Sequence, residues 1–177
     1  TKFAPVISID KEDTAYAKEF VNEMGIDNST CLIGIHVGAG KPKNRWSLDK
    51  YIAVVDYLNT KYKAKFYFTG SIADKNEIDY IKQNIKIKVF YFLDKEISKL
   101  AALISISDLF ITNDTGVMHV AGSTKTSQIS IFGPTNPYNW APVGDNKYFC
   151  KNKSELIDDV TCEEVLALCN NILKNKK

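Results

Sequence analysis

A chain of 177 residues is long enough to enclose one full hydrophobic core and too short for two comfortable ones. Apolar residues make up 45% and charged ones 25%, and a formal charge of +2 with lysines and carboxylates interspersed does not suggest nucleic acid as a partner. No run reaches the length of a membrane-spanning helix, the start lacks a signal-peptide pattern, and the four scattered cysteines, with no Cys-x-x-Cys pair, fit a reduced cytoplasmic setting.

The chain starts Thr1-Lys2-Phe3 without an initiator Met, which is consistent with a fragment of something longer. Thr1 to Ile9 reads as a short extended lead-in broken by Pro5. Lys11 to Met24 then carries Ala15, Ala17, Phe20, Val21 and Met24 on one side, an amphipathic helix ended by Gly25. It either packs on a preceding domain or covers an edge of this one.

Cys31–Val37 is a continuous apolar run, as expected of a strand buried on both faces, and it leads into Gly38-Ala39-Gly40-Lys41-Pro42-Lys43-Asn44-Arg45-Trp46. Ser47 caps a helix with Leu48, Ile52, Val55 and Leu58 along its stripe. The same unit recurs as Lys65–Thr69, Gly70-Ser71-Ile72-Ala73-Asp74 and a helix to about Asn84. It recurs again as Lys88–Phe92, Leu93-Asp94-Lys95 and a helix through Ile97, Leu100, Ala101 and Ile104. A fourth strand, Leu109–Thr112, runs into the polar turn Asn113-Asp114-Thr115-Gly116 and a short helix from about Val117. A fifth, Gln128–Phe132, runs into Gly133-Pro134-Thr135.

Beyond Trp140 the pattern loosens. Tyr148–Cys150 reads as a short sixth strand and Ser154–Val160 as a linking segment. A terminal helix follows, with a Thr161-x-x-Glu164 capping-box start and a stripe of Val165, Leu168, Cys169 and Ile172. Lys174, Lys176 and Lys177 are explained by a solvated tail, with a membrane-surface contact as the alternative. Strands alternating with helices predict an α/β fold, a doubly wound and mostly parallel Rossmann-like sheet. Its core spans residues 31–160, with 1–30 as lead-in from an interdomain region and 161–177 as terminal helix and tail.

The chemistry gathers where the strands end, which is where open parallel sheets bind ligands. Gly38-Ala39-Gly40 lets the backbone approach a ligand, and Lys41, Lys43 and Arg45 bring positive charge ahead of a helix, an arrangement suited to a phosphate or diphosphate. It is neither a P-loop nor a dinucleotide fingerprint, and a flexible turn with solvated lysines is the plain alternative. At the second loop the N–H groups of Thr115, Gly116 and Val117 can point at an anion, although Asp114 and Thr115 could equally cap an ordinary helix. Asp114 would repel a phosphate unless it serves another task, and with no second acidic residue in the motif, sugar hydroxyls suit it better than a metal. His119, one turn in, faces the same region or is a packed structural residue.

Six segments carry a family resemblance in order: Gly34-Ile35-His36-Val37-Gly38-Ala39-Gly40, Asn44-Arg45-Trp46, Phe68-Thr69-Gly70-Ser71, Leu100-Ala101-Ala102-Leu103, Asn113-Asp114-Thr115-Gly116-Val117-Met118-His119-Val120-Ala121, and Phe132-Gly133-Pro134-Thr135-Asn136-Pro137. Together they resemble the C-terminal half of glycosyltransferase family 9, the heptosyltransferases of lipopolysaccharide assembly. The resemblance implies a bacterial GT-B enzyme of two Rossmann-like domains, with this chain as the donor-binding half. It implies ADP-heptose as the nucleotide-sugar substrate, no cofactor or metal, and an inverting transfer to the lipopolysaccharide inner core. It also implies a catalytic aspartate and the acceptor site in the missing N-terminal domain, and a place at the cytoplasmic face of the inner membrane.

Carried over by position, Gly38, Ala39 and Gly40 with Lys43 or Arg45 would contact the diphosphate. Asp114 would hold sugar hydroxyls, Thr115, Gly116 and Val117 would give backbone N–H groups, and His119 would support that turn or touch the donor. Asp74 would take the ribose hydroxyls and the loop Leu93–Lys95 the base. The family often has Lys directly before its Arg/His-Trp pair, where this chain has Asn44, so either Lys43 or Arg45 can be the diphosphate cation. Ala39-Gly40 also replace the Ser or Thr often found there, so the sugar need not be heptose. Two alternatives are a non-catalytic nucleotide-sugar-binding module and a family member using another nucleotide sugar. Nucleotide-sugar epimerases are disfavoured because they lack the Asp-Thr-Gly-x-x-His run.

Overall fold

The computed structural model describes residues 7–175. Most of the expected lead-in and the last two lysines, Lys176 and Lys177, therefore lie outside the described residues. Helix α1, Lys11–Glu23, opens on a reciprocal cap: the Asp10 carboxylate accepts from the Asp13 backbone N–H at 2.8 Å, and Asp13 accepts from that of Asp10 at 3.2 Å. It ends at Met24, with Gly25 turning the chain at φ 72°, a left-handed conformation that glycine adopts without steric cost.

Strand β1, Leu32–His36, is buried at every position. There follow α2 (Leu48–Tyr62), β2 (Lys65–Gly70), α3 (Lys75–Asn84), β3 (Phe90–Leu93), α4 (Ile97–Ser105), β4 (Leu109–Asn113), α5 (Gly116–Gly122), β5 (Gln128–Phe132), α6 (Pro137–Trp140), β6 (Lys147–Lys151) and α7 (Cys162–Leu173). Single 3₁₀ turns at Pro42–Asn44, Ile72–Asp74 and Ile157–Asp159 join some of them. Ser47 caps α2, its hydroxyl accepting from the Lys50 N–H at 3.3 Å, and the Thr161 hydroxyl caps α7 by accepting from the Glu164 N–H at 3.1 Å.

The six strands are parallel and lie in the order β3-β2-β1-β4-β5-β6. The chain steps outward from β1 to β3, then returns across the sheet to place β4 on the other side of β1. Loops leaving β1 and β4 therefore diverge to opposite faces, and the crevice they leave at the carboxyl ends is the switch point of a doubly wound sheet.

Side-chain alternation divides the core between the two faces. Ile33, Ile35, Phe66, Phe68, Ile111 and Ile129 pack under α2, α3 and α7. Leu32, Tyr67, Phe92 and Phe110 pack under α1, α4 and α5. Burying one such Ile, Leu or Phe contributes roughly 2 kcal/mol, so both layers are needed to hold the sheet. Helix α1 covers this domain's own sheet, with Phe20 edge-on to Phe92 at 5.0 Å and to Tyr67 at 6.2 Å.

Three local differences from the sequence reading have physical causes. The third strand runs over Phe90–Leu93 and not Lys88–Phe92: its pairing with β2 begins at Tyr67 opposite Phe90 and ends at Gly70 opposite Leu93. The short sixth strand is a five-residue parallel edge strand, Lys147–Lys151, paired along all of β5. Asn113, read as the first residue of a turn, is the fully buried last residue of β4, and α5 starts at Gly116.

Candidate functional site

Between β1 and α2 the chain runs tightly against its neighbours. Gly38 has no room for a side chain: a Cβ there would lie 2.0 Å from Asp74 Oδ1, so the carboxylate sits where a larger residue would project. The Arg45 guanidinium folds back, Nε donating to the Ala39 carbonyl at 2.9 Å and Nη1 standing 3.3 Å from Glu77 Oε1. Trp46 anchors the far end of the loop in the core, its indole N–H donating to the Val160 carbonyl at 2.9 Å and its ring meeting Tyr51 edge-on at 4.9 Å.

Asn113 ties this loop to β4. Its side-chain amide donates to the carbonyls of Val37 and Gly38 at 2.9 and 3.2 Å, and its Oδ1 accepts from the Tyr51 hydroxyl at 2.7 Å and the Trp46 N–H at 3.2 Å. The loop beyond β4 is held in turn by the Asp114 N–H, which donates to the Ile131 carbonyl at 3.1 Å. Thr115 is extended (φ −158°) and makes no side-chain cap to α5, which argues against the simple capping role for it. After β5, the Lys151 ammonium donates to the carbonyls of Gly133 and Thr135 at 2.7 and 3.1 Å. Gly133 itself abuts the Lys43 carbonyl, where a Cβ would come within 2.5 Å.

These loops enclose a cavity of about 520 Å³ at the carboxyl ends of β1, β2 and β4, within the range of small-molecule sites. One wall is polar: His36, Ala39, Gly40 and Arg45 from β1 and its loop, with Thr69, Ser71 and Asp74 from β2 and its loop. The lining from β3, α4 and α5 is largely apolar, with Phe92, Ile97, Leu100, Val117 and Val120. Thr115, Gly116, Asp94 and Lys95 also line the cavity. Asp94 holds a left-handed φ of 56° and its N–H donates to the Gly70 carbonyl at 2.9 Å, so the β3 loop is pinned to the end of β2.

Of the residues singled out from sequence, Ala39, Gly40, Arg45, Asp74, Thr115, Gly116 and Val117 line this one cavity. Gly38 lies behind it, pressed on Asp74. Lys43 is exposed, and Asp114 and His119 are half-buried; none of the three is among the lining residues. Asp74 is partly engaged, since Oδ2 accepts from the Ser71 N–H at 2.9 Å and from its hydroxyl at 3.3 Å.

Sequence reasoning missed His36 as a site residue. The ring is 4% exposed, Nδ1 lies 2.9 Å from Thr69 Oγ1, and Nε2 faces Asp74 Oδ2 at 4.0 Å. Burial pushes its pKa below the ordinary 6.5, against the opposing pull of the Asp74 carboxylate and the Thr69 contact. A titratable ring inside an apolar strand, two residues before a glycine loop, was the available signal. Among the described residues no group of three or more His, Cys, Asp and Glu stands close enough to hold a metal ion.

The model of glycosyltransferase family 9 (heptosyltransferase) matches residues 1–166. The chain is 28% identical over 178 residues to lipooligosaccharide heptosyltransferase 2 of Campylobacter jejuni, an alignment covering 89% of this chain and 56% of that protein. Among solved structures it is similar to a family 9 glycosyltransferase of Veillonella parvula, with a TM-score of 0.88 at 23% identity over 98% of this chain and 55% of that one. It is also similar to Escherichia coli ADP-heptose LPS heptosyltransferase II, with a TM-score of 0.79 at 20% identity over 96% and 54%. The chain thus spans little more than half the length of these relatives. The match to the family model over most of the chain means that it belongs to glycosyltransferase family 9, the heptosyltransferases.

Proposed function

We propose that this chain is the donor-binding half of an inverting glycosyltransferase, taking ADP-heptose or a related nucleotide sugar for transfer to the lipopolysaccharide inner core. The observation that carries the reading is the single cavity shared by the loops after β1, β2 and β4, with one polar and one apolar wall. A purine base fits the apolar wall of Phe92, Ile97, Leu100 and Val120, near the backbone of the Asp94 loop. The diphosphate then reaches Ala39, Gly40 and the N–H groups of Thr115 and Gly116.

Arg45 is the better candidate of the two cations for the leaving diphosphate, because it lines the cavity while Lys43 does not. A guanidinium and oriented N–H donors there would stabilise the charge that develops as the nucleotide departs. Asp74 would accept a ribose hydroxyl, Asp114 would receive sugar hydroxyls at the mouth, and His119 would support the turn from α5. The base that deprotonates the acceptor is assigned to a part of the protein outside these residues, as is the lipopolysaccharide-core site. Similarity to the Escherichia coli ADP-heptose LPS heptosyltransferase II supports ADP-heptose as donor. We place the reaction in the cytoplasm, at the inner-membrane face; no helix among the described residues is long and apolar enough to cross a membrane.

Calorimetric titration with ADP, UDP, GDP and ADP-heptose, repeated with a chelator, tests this. Tightest binding of ADP-heptose, indifferent to the chelator, is the expected result. Preference for another nucleotide would replace the donor, and the absence of binding by all four would overturn the reading. Asp114→Ala should weaken ADP-heptose more than ADP, and equal losses would remove Asp114 from the sugar site.

A further inference from the structure

The polar wall of the cavity contains an electrostatic contradiction. A carboxylate, Asp74, is packed directly against Gly38, at the base of the loop assigned to the diphosphate. Two anions in a partly dehydrated cavity repel each other unless a positive charge stands between them. Arg45 is partly committed to Glu77, whose side chain is 14% exposed. The group in direct reach of Asp74 is His36, with Nε2 at 4.0 Å and Nδ1 oriented by Thr69.

We propose that His36 is a proton-linked positioning residue: it takes up a proton from solvent as a nucleoside diphosphate enters, and the imidazolium then neutralises Asp74 and holds it and Gly38 in place beside the phosphates. This rests on the donor-site reading above. In the empty cavity burial favours the neutral ring, and a second anion nearby tips the balance towards the cation. No bond other than N–H forms, and water or buffer supplies the proton. The charged group facing His36 is Asp74 from the β2 loop; Arg45 from the β1 loop, paired with Glu77 of α3, and Asp94 and Lys95 from the β3 loop line the same cavity. From α4 and α5 the cavity receives Ile97, Leu100, Gly116, Val117 and Val120, which carry no charge.

The chain holds two histidines, so the His36 ring is readily followed by NMR and assigned by the loss of its signal in His36→Gln. In the free protein it should titrate below 6.5. Saturating ADP should raise that midpoint by about one pH unit, whereas adenosine, which has no phosphate, should leave it in place. Calorimetry of ADP near neutral pH should likewise show net proton uptake between buffers of different ionisation enthalpy, reduced in Asp74→Asn, where the counter-charge is gone. ADP binding with an unmoved midpoint and no uptake would overturn the proposal while leaving the donor site standing. An equal shift with adenosine would also overturn it, and no ADP binding at all would remove both.

Discussion

Asn113 donates to the carbonyl of Gly38 at 3.2 Å, so the last residue of β4 holds the second residue of the loop that leaves β1. Two strands that are neighbours in the sheet but 76 residues apart in sequence are thereby locked where their loops diverge. The four side-chain hydrogen bonds of Asn113 are buried, and an apolar replacement would strand several donors and acceptors at once. Asn113→Leu is expected to cost about 3 kcal/mol or more in a urea unfolding series. Tyr51→Phe removes one contact and leaves Asn113 with the others, so it should cost only about 1 kcal/mol.

Gly38 is required by packing and not by backbone conformation. Gly38→Ala drives a methyl group into the Asp74 carboxylate and should lower nucleotide affinity by about tenfold as Asp74 is displaced, beyond any loss of stability. Pairing it with Asp74→Ala should recover most of the lost thermal stability without restoring affinity. Failure of that recovery would mean that the clash lies elsewhere.

Arg45 and Lys43 differ in location although they are two residues apart. Arg45→Gln should weaken ADP binding by about tenfold and reduce its salt dependence. Lys43→Gln should change it less than twofold, an exposed cation being screened by solvent. The reverse ranking in a titration at two salt concentrations would reassign the diphosphate cation to Lys43.

Stability should fall as the solution is acidified below neutrality. The folded-state pKa of His36 lies below the unfolded value of about 6.5, so the unfolded chain takes up its proton first. The contribution of the neutral ring is complete above pH 6.5 and is lost as pH falls through the folded value. Comparing urea midpoints of the wild type and His36→Gln between neutrality and mild acid isolates this term, because the carboxylates are common to both. Parallel curves would show that His36 titrates normally.

The thiols should divide into two classes. Burial pushes Cys150 and Cys169 up to about 12, whereas Cys31 and Cys162 are half-buried. A thiol-disulfide reagent at pH 8 should leave Cys150 and Cys169 unmodified in the native protein and reach all four cysteines in guanidinium. Mass spectrometry of the modified peptides reads the outcome.

Local pattern alone determined much of this protein. The apolar runs at β1, β2, β4 and β5, the capped helices between them and the order of the glycine-rich and Asn-Asp-Thr-Gly turns are properties of short stretches, and they sufficed for the parallel α/β fold and the family. The edge strands β3 and β6 were less legible, because the extent of an edge strand is set by the partner that pairs with it, and a partner is not encoded locally. Only the tertiary structure decided which polar residues share a cavity. Lys43 and Arg45 look alike in sequence, yet only Arg45 turns inward, drawn by the Ala39 carbonyl and Glu77. His36 looked like part of a strand and Asn113 like the start of a turn, and their roles come from Thr69, Asp74, Tyr51 and Gly38, groups that the sheet order brings within hydrogen-bonding or ion-pair range across intervals of 33 to 75 residues.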